Sequence, residues 1–387
     1  MDLKTLQDQS RIWIDGLPAV QMYPEQCGEP AFDWLAQIRG LTALLQQRGE
    51  PVTIQDIMAC SGDAFHFSHA TKWELRTAHA LPIDPLLEAA RAYGYNARWT
   101  SPDWTPRLIK LPMSERQDIT SKYLGRLWDE IRAGRPLLYG GAFGFCNSWR
   151  ILAGFDLENE QVCFVGGEQP YNWTSLWDEK ARELGFWDMQ VRGAIRSDEF
   201  LGGWQANACF LLGEKTKEIP ERDRIMKTLN LAVTLSTAPS QYTDWYGGVT
   251  YHFGQGAFKQ WAEDLLFLDP SNDLSKPRPD APEIYNLNLI RYQVEQITFG
   301  RSAAANYCEN AAQQLENPAL LEAAAAYRQQ VSIARDSLEI FLSGDLDSQQ
   351  AWLDDSALRE TGVNAIHRIL VEEQQAINWI QKALVDQ

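Results

Sequence analysis

The chain has 387 residues, is 45% hydrophobic and 22% charged, and carries a formal net charge of −17 at pH 7. That length suffices for two domains with sizeable cores, and the even composition excludes disorder as a reading of the bulk. The acidity disfavours nucleic acid and anionic membrane surfaces, which are bound chiefly through Lys and Arg. No window approaches the roughly 18 apolar residues of a membrane span, and the start MDLKTLQDQSRIWIDG lacks a secretory pattern, so the expectation is a cytoplasmic protein with no nucleic acid and no membrane partner.

In chain order, Phe32, Leu35, Ile38, Leu41 and Leu45 fall at three- and four-residue spacing and predict a helix opening near Gly28. A second helix is predicted over PVTIQDIMACSG, stopped by Gly62, and a third over PIDPLLEAARAYGY, capped by Asp84 and ended by Gly94. RWTSPDW and LIKLP look extended, and SKYLGRLWDEIRAGRP reads as a helix closed by Gly134 and Pro136. PLLYGGAF and SWRILAGFDLENEQVCFVGG carry the strongest strand signal, forming a hairpin with Gly154 and Asp156 near its bend; GFWDMQVRGAI and NACFLLGE are further candidates. EKTKEIPERDR reads as a linker, after which the pattern is helical: IMKTLNLAVTLSTA, GAFKQWAEDLLFL, a proline-rich break, then stripes at Leu287, Ile290, Val294 and Ile297 and at Ile366, Leu370, Ile377, Ile380 and Leu384. Helices before a sheet predict an α+β first domain over 1–213, and the rest predicts an α-helical bundle over 214–387, a surface through which the chain could oligomerise.

Six cysteines, at 27, 60, 146, 163, 209 and 308, are widely spaced without a C-x-x-C pair, so neither a disulfide scaffold nor structural zinc is expected. His66 and His69 form an H-x-x-H pair that lacks a carboxylate or thiol at ligand spacing, and no metal and no cofactor are expected. GGAFGF lacks the Lys-Ser/Thr of a phosphate loop.

The chemistry concentrates at 21-QMYPEQCGEPAF-32. A cysteine at the amino end of a helix has its thiolate stabilised by unpaired amides and the helix dipole. Gly28 admits a substrate close to the backbone, and the Cys27 amide with the side chain of Gln21 would supply two donors to a developing oxyanion. That arrangement suits acyl transfer.

This stretch resembles the start of papain-like cysteine enzymes, in particular the peptidase-like domains of double-glycine peptidases. The order of 51-PVTIQDIMACSGDAF-65, a helix ending in GY, 130-EIRAGRPLLYGG-141 and 152-LAGFD-156 looks like the amino-terminal domain of the butirosin biosynthesis protein H group, a papain-like, acyltransferase-related family. The resemblance covers the first half of the chain and implies a papain-like domain with Cys27 as nucleophile, Gln21 as oxyanion donor and Asp156 as orienting carboxylate. It also implies a histidine base at the start of the strand ending in LAGFD, where this sequence has Asn147, Ser148 and Trp149.

Three routes around that substitution stay open. His66, His69 or His79 folds over the site as base; Cys27 acts without a partner; or the cleft no longer catalyses. The run SGDAFHFSHATKW reads either as a lid placing Phe65, His66 and Trp73 over a ligand or as a connection whose aromatics cap the core. Gly28, Phe65, Trp73, Asn147 and Trp149 are the candidate ligand contacts. The expected function is a thiol-dependent amidase or acyltransferase acting on a small amide or acyl group, with a catalytically inactive papain-like protein that binds a small ligand or a partner as the alternative.

Overall fold

The computed structural model describes residues 11–17, 35–71, 82–100, 122, 125–143, 146–156, 158–159, 161–165, 172–175, 208–243, 249–268, 277–278 and 281–386; for 140–143, 146–149, 172–175, 208, 243, 277–278, 281–286 and 288–289 it describes the backbone alone. The protein is a mixed α+β structure with antiparallel sheets followed by carboxy-terminal helices. It divides into two compact units, Met1–Ile57 with Tyr93–Glu218, and Met58–Ala92 with Ile219–Gln387. The sequence reading placed one boundary near 213 and kept 1–213 together. Instead the segment Met58–Ala92 belongs with the carboxy-terminal helices, and the later boundary falls at Glu218.

The first unit begins with β1 (Arg11–Trp13) and α1 (Ala36–Gln47). α1 begins at Ala36, eight residues after the opening predicted near Gly28, with Leu35 at its N-cap; within it the apolar spacing holds, Ile38, Leu41 and Leu45 being fully buried. α2 (Ile54–Ser61) spans the boundary between the units and starts later than Pro51, because Thr53 caps it. Asp56 N donates to Thr53 Oγ1 at 3.2 Å, and Thr53 N and Oγ1 donate to Asp56 Oδ2 at 2.9 and 2.7 Å. α2 ends at Gly62, whose φ of +90° admits the turn and whose missing Cβ would meet Leu235 at 2.6 Å.

The chain then runs through β2 (Ser68–Ala70) and α3 (Pro85–Ala92), capped as predicted by Asp84, which accepts from Leu87 N at 3.0 Å. It returns to the first unit at β3 (Arg98–Thr100), a helix over 125–132 (α4), β4 (Leu137–Phe143), β5 (Cys146–Asp156), β6 (Gln161–Val165), β7 (Asn172–Ser175) and β8 (Ala208–Leu211). These strands form one antiparallel sheet in the order β3-β8-β4-β5-β6-β7, with β1 also paired to β5. The expected hairpin is present. The candidate strand at GFWDMQVRGAI and the LIKLP stretch lie outside the described residues.

Along β4 the adjacent residues Leu137 and Leu138 are both buried, so both sheet faces are covered. On one face Leu127, Trp128 and Ile131 of α4 pack with Leu137, Leu152, Phe155 and Phe164. α1 also packs on β4 and β5 and shares none of that cluster, which puts it on the other face. Leu152 and Phe155 are three residues apart and would face opposite ways in a regular strand. A bulge between Leu152 and Gly154 brings them to one face, opposite Phe164 and Val162.

The linker EKTKEIPERDR is tied to the first unit up to Glu218: Lys215 Nζ meets Glu50 at 2.9 Å and Glu218 at 2.6 Å, and Tyr95 Oη donates to Glu50 at 2.8 Å. The second unit resumes with α5 (Glu221–Ser236), β9 (Gln241–Thr243), β10 (Val249–Phe253) and α6 (Gly254–Leu266). A short hairpin of β11 (Pro277–Arg278) and β12 (Ala281–Tyr285) follows. α7 (Asn286–Glu295) then runs through a π-helical turn, Gln296–Gly300, straight into α8 (Arg301–Leu315). α9 (Ala319–Leu338), α10 (Ile340–Ser343), α11 (Leu346–Asp354) and α12 (Ser356–Val385) complete it.

The region predicted as an α-helical bundle therefore also contains strands. The alternating burial of Val249, Tyr251 and Phe253 is a period-2 signal; β10 pairs antiparallel with its neighbour β9 on one side and with β2, about 180 residues earlier, on the other. α12 is the main packing surface, carrying α5, α6 and α9 on its stripe of Ile366, Ile369, Ile377 and Ile380. No helix among the described residues is long and apolar enough to cross a membrane.

Inside this unit every residue from Ser61 to Ala70 is buried. Arg301, itself fully buried, holds the segment: its Nη1 donates to the carbonyls of Ala64 at 2.9 Å and His66 at 3.3 Å. Nε donates to Gln330 Oε1 at 3.1 Å, Nη2 lies 3.2 Å from Glu373 Oε2, and Gln330 Nε2 donates to the same Glu373 oxygen at 3.1 Å. Removing one partner would leave a buried uncompensated charge. Arg301→Met is expected to cost roughly 3–5 kcal/mol in urea unfolding, and Arg301→Met with Glu373→Leu to recover most of that loss; an additive double variant would show that the two charges do not act as a pair.

Candidate functional site

Gln21, Cys27 and Gly28 lie outside the described residues, as do Trp73 and His79. The remaining site candidates separate sharply between the two units. All five histidines, at 66, 69, 79, 252 and 367, fall within Met58–Ala92 or Ile219–Gln387. The unit that contains Gln21, Cys27, Asn147, Trp149 and Asp156 has no imidazole of its own.

In that unit β5 runs antiparallel to β4 with Asn147 opposite Ala142, Ser148 opposite Gly141 and Trp149 opposite Gly140. The far end of the strand, 152-LAGFD-156, is shaped by packing. Gly154 sits at the bulge and opposite Trp13, where an added Cβ would come within 2.6 Å of Ile12 O and Trp13 Cβ. Asp156 is buried and secures the turn into β6: its Oδ1 accepts from Asn159 N at 3.0 Å, its Oδ2 from Asn159 Nδ2 at 2.9 Å, and Arg11 Nε lies 3.4 Å away. Burial works against the charge on Asp156, but the Asn159 hydrogen bonds and Arg11 outweigh it and hold the carboxyl below its ordinary value. Both its oxygens are thus engaged in turn formation.

Phe65, His66 and His69 belong to the other unit. Phe65 is fully buried, its ring centroid 5.9 Å from that of Tyr327 and 6.3 Å from that of Tyr307; two residues on, Phe67 stacks on Phe258 at 4.0 Å. Between the lid and the core-capping readings of this run, residues 61–70 follow the second. Period-2 aromatic spacing over Phe65 and Phe67 was the available signal. His66 Nε2 lies 3.1 Å from Ser68 Oγ.

His69 is fully buried on β2, its Nε2 2.7 Å from Asp264 Oδ2 and its Nδ1 2.6 Å from Gln293 Nε2. Gln260 Nε2 donates to the other Asp264 oxygen at 2.8 Å. Directly across the strand pair stands His252, whose Nδ1 is 2.9 Å from Ser240 Oγ. Burial lowers the His69 pKa against the raising effect of Asp264, and burial with the facing His69 lowers that of His252, so both rings favour the neutral state. Among the described residues no group of three His, Cys, Asp or Glu side chains is placed to hold a metal. His252, Asp264, Gln293 and Arg301 carry no sequence signal, because their meeting is a long-range event with no local spacing to mark it.

In the same segment as His69, Asp63 is buried beside Ser61, whose Oγ donates to its Oδ2 at 2.9 Å. Burial pushes its carboxyl from 3.8 up to about 7, against the lowering effect of that bond. A raised native pKa means stability that is fully present below the unfolded value and lost as the pH rises through the native one.

Asp63→Asn should therefore gain roughly 3–4 kcal/mol relative to wild type between pH 4 and pH 8 in urea melts, given about 1.4 kcal/mol per pKa unit; a pH-independent offset would contradict the buried acid. Asp156→Ala is expected to destabilise the first unit by roughly 1–3 kcal/mol at pH 7, from the hydrogen bonds lost at the turn. Because the Asp156 carboxyl is held below its ordinary pKa, the deficit should shrink as the pH falls through that range; circular dichroism melts at pH 7 and pH 3 measure both points.

No family model matches this chain, and a search of curated proteins finds none that matches it.

Proposed function

We propose that the first unit is a papain-like domain that has lost its imidazole base and binds a small ligand or a partner in the cleft where its catalytic relatives perform acyl transfer. The observation that carries this reading is that no histidine occurs in Met1–Ile57 or Tyr93–Glu218. A cysteine nucleophile working by the usual route needs an adjacent base to take its proton. His69 is enclosed by Asp264 and Gln293 within the second unit and has both ring nitrogens committed there. The papain-like assignment is supported by α1 packed on an antiparallel sheet whose β5 ends in the LAGFD motif.

In this reading Gln21, Cys27, Gly28, Asn147 and Trp149 contact ligand, and Asp156 shapes the turn. The acidic chain favours a small molecule or acyl group over nucleic acid or an anionic membrane.

Thiol reactivity separates binding from catalysis. Cys60, Cys163, Cys209 and Cys308 are buried, and burial pushes the Cys163 thiol up to about 11 and the Cys308 thiol to about 12. They give little background to alkylation. Iodoacetamide at pH 7, read by peptide mass spectrometry, is expected to modify Cys27 no faster than a free-thiol peptide, and p-nitrophenyl acetate to give no acyl-enzyme burst. Alkylation of Cys27 about tenfold faster than the peptide, with a stoichiometric burst abolished by Cys27→Ser, would establish the thiol-dependent amidase or acyltransferase instead.

A further inference from the structure

β10 pairs antiparallel with β2 so that His252 stands directly opposite His69. Directly opposed side chains in such a ladder have Cβ atoms roughly 5 Å apart, and like charges there repel. Two imidazoles in this position are compatible while at least one is neutral.

The surroundings accommodate one proton and not two. The Asp264 carboxylate only accepts, so His69 carries hydrogen on Nε2 and its Nδ1 accepts from Gln293 Nε2. Gln293 Oε1 is left buried with no hydrogen-bond partner among the described residues. If His69 gains a proton on Nδ1, a half-turn of the Gln293 amide brings Oε1 to face it, and Asp264 balances the charge. His252 has no such provision. Its Nδ1 meets the Ser240 hydroxyl, while its Nε2 is buried with no hydrogen-bond partner among the described residues. A second proton would place an unanswered N–H inside the unit and a second positive charge opposite the first.

Among the described residues, the charged and titratable groups facing the pair come from α6, α7, β9 and β10. From α6 come Asp264, hydrogen-bonded to His69, and Glu263, which acts on His252 only through space. α7 contributes the neutral Gln293, its Arg291 being paired with Glu295 at 2.9 Å. β9 contributes Tyr242, which is exposed, and β10 the buried Tyr251.

We propose that the His69–His252 pair is a proton-sensitive latch on the β2–β10 pairing: it holds the buried Ser61–Ala70 segment in the second unit at neutral pH and loosens when both rings are driven to protonate. The lowered native pKa values fit this direction, since the unfolded chain then takes up more protons and stability falls as the pH drops through the ordinary histidine value of 6.5. The latch is independent of the ligand-binding role proposed for the first unit.

The test compares thermal melts of the full chain and of His252→Gln between pH 7.5 and 5.5. Glutamine keeps a neutral polar group beside Ser240 and cannot take the second proton. The wild-type midpoint is expected to fall by roughly 3–5 °C more than that of His252→Gln, as about one pKa unit of linkage in a unit of this size would give. Asp63 acts in the opposite sense but is common to both chains. Parallel profiles would overturn the proposal. Should the variant not fold, histidine ring nitrogen spectra of the wild-type chain decide: one of the two rings still neutral at pH 5.5 supports the latch, and both titrating together near 6.5 would overturn it.

Discussion

A guanidinium with no access to water must find its hydrogen bonds and its counter-charge inside the protein, and most of the second unit is arranged around that demand at Arg301. The two backbone carbonyls that satisfy it, of Ala64 and His66, come from a segment more than 230 residues earlier in the chain. Gln330 and Glu373 bring α9 and α12 to the same point. The π-helical turn Gln296–Gly300 immediately before Arg301 puts Gly300 against the same segment, where an added Cβ would lie 3.4 Å from Asp63 O and 3.5 Å from Ala64 O. Exchange for apolar residues of similar volume would cost such a pair little stability. What the pair contributes is an anchor for Ser61–Ala70, whose Ala64 and His66 carbonyls both accept from the cation.

Register matters here because the segment also carries the aromatic core and a strand. Phe67 stacks on Phe258, Phe65 lies against Tyr327, and β2 hands its His69 to Asp264 and Gln293. A slip of one residue along β2 would turn His69 away from its carboxylate and bring a neighbouring side chain to the polar pocket. The polar contacts of this unit thus make its packing unique, while apolar burial along α12 supplies the bulk of the stabilisation.

In the first unit the same economy bears on how a motif is read. The glycine and aspartate of LAGFD look like part of a catalytic strand, yet each has a full structural reason: Gly154 makes room for β1 at a bulge, and Asp156 ties the turn through Asn159 and Arg11. A motif of this kind marks the corner of a sheet whether or not the chemistry upstream of it persists. Strand β5 is held through backbone pairing, with β4 over Cys146–Leu152 and with β1 and β6 toward Asp156, so these pairings do not depend on which side chain stands at 147–149.

Local chemistry made much of this legible in advance. Capping by Asp84, the stop at Gly62, the buried stripe of α1, the β4–β5–β6 hairpins and the long carboxy-terminal helix all follow from interactions within a few residues, which a sequence displays directly. So does the absence of a histidine from β5. What only the tertiary structure decided is where Met58–Ala92 belongs, that 249-VTYHF-253 is a strand, and that His69 meets Asp264, Gln293 and His252. The His69 contacts and the β2–β10 pairing join residues about 180 or more positions apart, and the Lys227–Glu88 and Thr228–Cys60 contacts that tie Met58–Ala92 to α5 join residues about 140 and 170 apart. Such contacts are selected by satisfying buried charges and closing a common core, and neither condition leaves a periodic trace along the chain.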